Sequence, residues 1–181
     1  MQKSVLFLDF DKTLFDTEQL REWLGDDIEP RIRVVEEGAL ELPDLARMLY
    51  PDTLSFLTQA RGTHHLVLLT ATVHPIFQKK KVFDSGIAPY FDDILIVKRT
   101  EEDLGKGAAA KLYLLTHENV AGSHVFVDDF PQNISEVKRI NPNVRCIEIR
   151  RTARMHDAAL PPSLLSPDAT VTSLAELLKL L

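Results

Sequence analysis

Four carboxylates, a hydroxyl and a lysine stand where the chain's apolar runs stop or restart. Val5-Leu6-Phe7-Leu8 leads into Asp9-Phe10-Asp11-Lys12-Thr13, Leu66–Leu69 ends on Thr70-Ala71-Thr72, and Val125-Phe126-Val127 ends on Asp128-Asp129. Lys106 opens an alanine-rich segment ahead of the last of these runs. Carboxylates are strongly solvated and are buried only when something pairs with them. If Ser4–Phe10 is a strand, its side chains alternate, so Asp9 and Asp11 share a direction while Phe10 points away. Two carboxylates ~4 Å apart repel by roughly 4 kcal/mol at an effective dielectric of 20, and three converging ones by on the order of 10 kcal/mol. Either their pKa values rise or a cation sits among them. The ligands are all oxygen, with no Cys or His at these run ends, so the expected ion is Mg²⁺ rather than Zn²⁺.

A carboxylate beside Mg²⁺ can attack phosphorus and form an aspartyl-phosphate, because the metal offsets the charge of the phosphate. A second carboxylic acid can protonate the leaving oxygen and then deprotonate the water that hydrolyses the intermediate. Thr70 and Lys106 can hold the non-bridging oxygens.

Plainer duties compete for the same residues. Asp128 or Asp129 could cap a helix starting near Pro131, and Asn133 could orient the site or lie on that helix's surface. Thr70 is preferred to Thr72 because it directly ends the apolar run; Thr72 could touch substrate or cap the next helix. Lys98, directly after the third strand, competes with Lys106. Thr13 is expected to hydrogen-bond the turn that positions the two aspartates. Gln78-Lys79-Lys80-Lys81 reads as a solvated helix face. His64 and His65 sit at the start of the second strand, at the edge opposite the site, and read as loop residues rather than ligands; His74 belongs to a helix start, and Cys146 to the core as a small apolar group. Trp23 is either core or a lid aromatic.

The elements that must carry these residues follow from pattern. The chain has 181 residues, 45% hydrophobic, and a formal charge of −6; this suits one core with a small appendage. A general nucleic-acid binder is disfavoured by the charge, while an anionic substrate is not, since a local cation can outweigh it. No apolar run reaches about 18 residues, so no membrane-spanning helix is expected. The N-terminus does not read as a signal peptide, and a single cysteine permits no internal disulfide. A soluble, cytoplasmic protein is expected. Strands are predicted at Ser4–Phe10, His65–Thr70, Asp93–Val97, His124–Val127 and Val144–Ile149. Helices are predicted at Thr53–Ala60, Pro75–Asp84, Gly107–Glu118 and Pro131–Ile140. Their alternation implies an α/β fold with an open, doubly wound, mainly parallel sheet, in which ligands bind beyond the carboxyl ends of the strands. Residues 16–48 break the rhythm as a helical insert, separating 1–15 from 49–181. Its apolar side would be Trp23, Leu24, Ile28, Ile32, Val35, Leu40, Leu42, Leu45 and Leu49. Arg151–Asp168 reads as an irregular loop, and Thr172–Leu181 as a closing helix with Leu174, Leu177, Leu178 and Leu181 on one side.

Together these motifs resemble those of the haloacid dehalogenase-like superfamily of phosphatases and phosphotransferases. Asp9-Phe10-Asp11-Lys12-Thr13 matches its Asp-x-Asp-x-Thr, Thr70 its strand-ending hydroxyl, Lys106 its helix-opening lysine, and Asp128-Asp129 its acidic pair. Tyr50-Pro51-Asp52, Gly86–Ile94 and Val171–Leu181 are also similar to the family's connecting segments. The resemblance covers about Ser4–Ile149 and the closing helix. It implies a Rossmann-like core with a small helical cap after strand one. It implies that Asp9 is nucleophile and metal ligand, and that Asp11 is general acid/base and lends its carbonyl to Mg²⁺. Asp129 would be a direct ligand, Asp128 a weaker or water-mediated one, and Thr70 and Lys106 would bind the phosphoryl group. The family's dehalogenases lack the second aspartate and need no metal, so Asp11 favours phosphoryl transfer. The implied function is Mg²⁺-dependent hydrolysis of a small phosphorylated metabolite, with no nucleic-acid or membrane partner. The alternatives are a phosphotransferase or phosphomutase using the same site and a non-catalytic phosphate- or metal-binding relative. A receiver-like phosphoacceptor fits poorly, because Lys98-Arg99-Thr100 stands where its aspartate should be. The cap is short for the family. It leaves the site open to solvent or requires a neighbouring subunit, so a homo-oligomer is possible.

Overall fold

Val5, Leu6, Phe7 and Leu8 are all completely buried, which a strand achieves only with helices on both of its faces. The computed structural model, which describes residues 3–99, 105–117, 122–151 and 164–181, places them in β1 (Ser4–Leu8) near the centre of a six-stranded sheet. The other strands are β2 (His64–Thr72), β3 (Asp93–Lys98), β4 (Val125–Asp128), β5 (Arg145–Ile149) and β6 (Ala169–Val171). The order is β3-β2-β1-β4-β5-β6, with every pair parallel. This is a doubly wound α/β fold.

Alternation along the strands sorts the core into two layers. Leu6, Leu8, Leu66, Leu68, Val125 and Val127 pack with Phe56 and Leu57 of α3 (Thr53–Thr63), Phe77 and Val82 of α4 (Pro75–Asp84), and Leu174 and Leu177 of α7 (Leu174–Leu178). Val5, Phe7, Val67, Leu69 and Phe126 face α5 (Lys106–Thr116) and α6 (Pro131–Ile140). Cutting any of these leucines to alanine would cost about 2–5 kcal/mol. The chain winds outward from β1 through β2 and β3, then returns to β4 on the other side. Such a reversal opens a crevice beyond the carboxyl ends of the two strands that flank it. Leu8 is in register with both Leu68 and Val127, and Asp9 N–H donates to the Val127 carbonyl at 3.0 Å. The end of β1 therefore stands level with the end of β4 within one residue, while β2 continues past it to Thr72.

The insert leaves and rejoins the core through a narrow neck. Asp16 N–H donates to Met48 O at 2.7 Å and Tyr50 N–H to Leu14 O at 3.0 Å. Between them lie α1 (Thr17–Leu24), α2 (Ile28–Glu36) and a 3-10 turn at Leu45–Met48. Asp16 caps α1, accepting from the Glu18 and Gln19 amides. Leu20, Leu24, Ile32, Val35 and Leu45 join the same apolar cluster as Leu6 and Leu8, so the insert shares the main core instead of enclosing its own. Glu36 of α2 accepts the Phe77 amide in the first turn of α4, and His74 Nε2 lies 2.9 Å from Glu29 Oε2. No helix among the described residues is long and apolar enough to cross a membrane.

Several expected boundaries move. β1 stops at Leu8, so Asp9, Phe10 and Asp11 lie in a turn and strand alternation does not set their directions. β2 starts one residue earlier than expected, at His64, and runs on to Thr72. Helix α3 passes through Gly62 to Thr63, since a glycine in the last turn costs only about 1 kcal/mol. β6 has only three residues, too few for its pattern to stand out, and it fills the gap between the expected loop and the closing helix. Residues 152–163 of that loop, Thr100, and Glu118 of the helix expected at Gly107–Glu118 lie outside the described residues.

Arg151 locks this frame behind the Asp9–Thr13 turn. Its Nε and Nη2 donate to the Thr13 carbonyl at 3.1 and 3.0 Å, and its Nη1 donates to Asp52 Oδ2 at 2.9 Å. The guanidinium lies 4.4 Å from the Tyr50 ring centroid. Burial tends to raise the Asp52 pKa, but Arg151 and the Leu174 amide outweigh it and hold the carboxyl below its ordinary value of 3.8. A depressed folded pKa contributes stability above the ordinary value, and this is lost as pH falls through the folded one. Arg151→Ala is therefore expected to cost about 2–4 kcal/mol in urea unfolding at neutral pH, with the deficit narrowing below pH ~4. A neutral-pH loss under about 0.5 kcal/mol, typical of an exposed side chain, would contradict this role.

Candidate active site

After Leu8 the chain makes a tight turn. Leu14 and Phe15 amides donate to the Phe10 carbonyl at 2.9 and 3.1 Å, and Lys12 N–H to Phe15 O at 2.8 Å. Lys12 takes a left-handed φ of 58°, uncommon for a residue with a side chain. The Phe10 and Phe15 rings stack with centroids 4.9 Å apart. This turn gives Asp9 and Asp11 separate sets of partners.

Asp9 meets Lys106. The lysine is the first residue of α5 and only 2% exposed. Its Nζ lies 2.5 Å from Asp9 Oδ1 and 2.7 Å from Asp128 Oδ2. Burial works against the ammonium, but Asp128 and Asp9 more than compensate and push its pKa upward. Its seat depends on a close approach of α5 to α6. A Cβ on Gly107 would meet Ile140 Cδ1 at 2.9 Å and the Glu136 carbonyl at 3.1 Å. Gly107 N–H also donates to Glu136 Oε1, and Asn141 Nδ2 to Gly107 O.

Asp128 is fully buried and surrounded by donors. Its Oδ1 accepts from the Phe130 amide at 2.8 Å, and Asn133 Nδ2 reaches both of its oxygens, at 3.1 and 3.0 Å. Asn133 thus orients the site. Asp9, Asp128 and Asp129 each bring a carboxylate oxygen within 4.8 Å of the others. Asp9's pKa is raised well above 3.8, first by burial and then by the charges of Asp128, Asp129 and Asp11, against the opposing pull of Lys106. The cluster thus carries more negative charge than Lys106 answers. An all-oxygen set of this kind suits a hard divalent cation.

Asp11 belongs to a second group. Its Oδ1 accepts from Thr17 Oγ1 at 2.7 Å and Lys81 Nζ at 2.6 Å, and its Oδ2 from Gln78 Nε2 at 2.7 Å. The same Gln78 nitrogen donates to Thr70 Oγ1 at 2.9 Å. Burial alone would raise the Asp11 pKa, but the Lys81 charge and the bonds from Lys81, Thr17 and Gln78 lower it. Its side chain does not join the oxygen cluster of Asp9, Asp128 and Asp129.

Some expectations are corrected here. Gln78 and Lys81 are buried, not part of a solvated face. They are three apart on α4, on the side that carries Phe77 and Val82. That spacing was visible in the sequence, but the run of lysines masked it. The Thr13 hydroxyl is buried with no partner among the described residues; backbone bonds hold the turn instead. Thr72 Oγ1 accepts from the His74 amide, a helix-start duty. Lys98 is exposed at the end of β3. It lines, with Ala71, Arg99, Lys106, Asn133 and Glu136, a cavity of about 190 Å³ beside the Lys106 seat. Cys146 is buried, its thiol pushed up to about 12, mainly by burial.

No family model matches the chain, and no curated protein matches it. Solved structures do. The HAD-hydrolase YfnB of Bacillus subtilis, bound to magnesium, aligns with a TM-score of 0.67 at 14% identity, covering 99% of each chain. A HAD phosphatase from Thermococcus onnurineus aligns at 0.62 and 22% identity, over 98% of this chain and 97% of that one. L-2-haloacid dehalogenase from Xanthobacter autotrophicus, with chloropropionic acid covalently bound, aligns at 0.64 and 16% identity, over 99% and 98%. The chain has the fold of the haloacid dehalogenase-like hydrolases.

The raised pKa of Asp9 has a measurable sign. Its folded value lies above the unfolded one, so its contribution to stability is present at acid pH and is lost as pH rises through the folded value. In chelator, the stability of Asp9→Asn relative to wild type is expected to increase between about pH 4 and pH 8, because the variant has no charge to bury. A relative stability that falls over that range would contradict the crowding at this site.

Proposed function

On a chain with the fold of the haloacid dehalogenase-like hydrolases, we propose a cytoplasmic, Mg²⁺-dependent phosphohydrolase that cleaves a small phosphomonoester through an aspartyl-phosphate. The observation that supports it is the meeting of Asp9, Asp128 and Asp129 around Lys106, at the crevice between β1 and β4.

Mg²⁺, held by the Asp9 and Asp129 carboxylates and the Asp11 carbonyl, with Asp128 as a weaker or water-mediated ligand, would offset the charge of the phosphoryl group. Asp9 forms a bond to phosphorus through a carboxylate oxygen as the ester P–O bond breaks. Lys106 and the Thr70 hydroxyl donate to the non-bridging oxygens. Asp11 gives a proton to the departing oxygen, which leaves as an alcohol. It then takes a proton from a water whose oxygen displaces Asp9 from phosphorus, releasing inorganic phosphate. The anionic state in which Lys81, Thr17 and Gln78 hold Asp11 suits this second half. Since the family's dehalogenases lack the second aspartate, Asp11 favours phosphorus over carbon as the attacked atom.

A panel of phosphate esters is expected to include substrates hydrolysed only with Mg²⁺, and Asp9→Asn to lower kcat by about a thousandfold or more. Mg²⁺-independent release, or full activity in Asp9→Asn, would overturn the assignment. Release only on addition of an acceptor alcohol would identify a phosphotransferase. Independently of turnover, Mg²⁺ at about 100 times its Kd should stabilise the fold by ~2.7 kcal/mol. Asp129→Asn should remove most of that gain, and an unchanged gain would exclude Asp129 as a ligand.

A further inference from the structure

We propose that Lys81 and Gln78 are positioning residues that direct proton transfer to one oxygen of Asp11, Oδ2, and hold that oxygen beside the Thr70 hydroxyl. The proposal rests on the phosphohydrolase reading above and names two residues of α4 that the sequence motifs do not include.

The geometry comes from counting acceptor sites. A carboxylate offers about four, two on each oxygen. Both sites on Asp11 Oδ1 are taken, by Lys81 Nζ and Thr17 Oγ1. Among the described residues Oδ2 accepts only from Gln78, so one site on it remains for a proton. Gln78 Nε2 has two hydrogens; one goes to Asp11 Oδ2 and the other to Thr70 Oγ1. Thr70 is therefore an acceptor toward Gln78, and its own O–H is left to donate to a phosphoryl oxygen. One amide nitrogen thus fixes the proton-carrying oxygen relative to the hydroxyl that would hold the phosphoryl group.

Lys81 is an unusual residue for packing alone. It is 5% exposed, with its Nζ between the rings of Phe10, Phe15 and Phe77 at 5.4, 5.7 and 5.6 Å from their centroids. Cation–π contacts offset part of the burial cost, but a methionine would fill the same aromatic surroundings without burying a charge. What methionine would not supply is the bond to Oδ1. Without it Oδ1 has an open site, the carboxyl can rotate, and the proton is shared between two oxygens, only one of which Gln78 ties to the Thr70 hydroxyl. In the leaving-group step Asp11 Oδ2–H transfers its proton to the ester oxygen as the P–O bond breaks. The alcohol departs neutral and Asp11 is left as the carboxylate that Lys81 orients.

The test is dependence on the leaving group. An alkyl alcohol must be protonated to depart, whereas p-nitrophenolate need not be. kcat/KM, which covers only the steps through departure of the leaving group, is measured for p-nitrophenyl phosphate and for the best alkyl phosphate of the panel. Wild type, Lys81→Met, Lys81→Arg and Asp11→Asn are compared. Compared as pH-independent limiting values, so that the larger protonated fraction of Asp11 expected without the Lys81 charge does not enter, Lys81→Met is expected to shift the ratio of the two values toward the aryl ester by about 10²-fold, in the same sense as Asp11→Asn, and Lys81→Arg to recover part of the shift. Activity on the aryl ester reports that each variant is folded. Equal losses on both esters, or no loss on either, would overturn the positioning role while leaving the phosphohydrolase reading intact. Absence of Mg²⁺-dependent release by wild type would end that reading and this proposal together.

Discussion

One buried ammonium bonded to two buried carboxylates is the constraint on which the site depends. Lys106 touches both Asp9 and Asp128, so the trio is already a charge short before Asp129 is counted. Removing one partner of such a group typically costs 3–5 kcal/mol, because the others are left buried without an answer. The protein retains this arrangement between β1 and β4, where the strand order reverses and a crevice opens to ligand. The Asp9 pKa is raised despite a lysine in direct contact, first by burial and then by the charges of Asp128, Asp129 and Asp11.

The fold builds this cluster from distant parts of the chain with little local strain. Parallel pairing of β1 with β4, level at Leu8 and Val127, brings Asp9 beside Asp128 and Asp129. The glycine at 107 lets α5 settle on α6 deeply enough to bury the lysine at its start. Asn133, early in α6, holds the Asp128 carboxylate from the other side. Asp11, only two residues beyond Asp9, is kept out of this cluster by its own cation. The two carboxylates of the opening motif therefore sit in opposite electrostatic settings, one pushed toward its neutral form and the other held as an anion.

Much of this was readable from the sequence, for identifiable reasons. Strands buried on both faces announce themselves as short apolar runs, and the residues that end them are the site residues, so Asp9, Thr70, Asp128 and Asp129 were found together with the sheet. Lys106 followed from its place at a helix start. Lys81 and Gln78 were missed because charge was weighed over periodicity. In a run of three lysines the helical spacing turns Lys81 inward with Phe77 and Val82 while Lys79 and Lys80 stay out. Arg151 was missed because its partners, Thr13 and Asp52, lie far away in sequence and nothing local signals them. β6 was too short to show a pattern. The shared direction expected for Asp9 and Asp11 failed because the strand ends one residue before the first of them, and turn geometry then decides.

The most direct measurement is crystallographic. Crystals grown or soaked with Mn²⁺ in place of Mg²⁺ give an anomalous signal that locates the ion independently of any assumption about its ligands. One strong site is expected in contact with the carboxylates of Asp9 and Asp129, and it should be lost in Asp129→Asn crystals. An ion bound elsewhere, or an empty cluster at saturating Mn²⁺, would contradict the central claim that these carboxylates converge to hold a divalent cation.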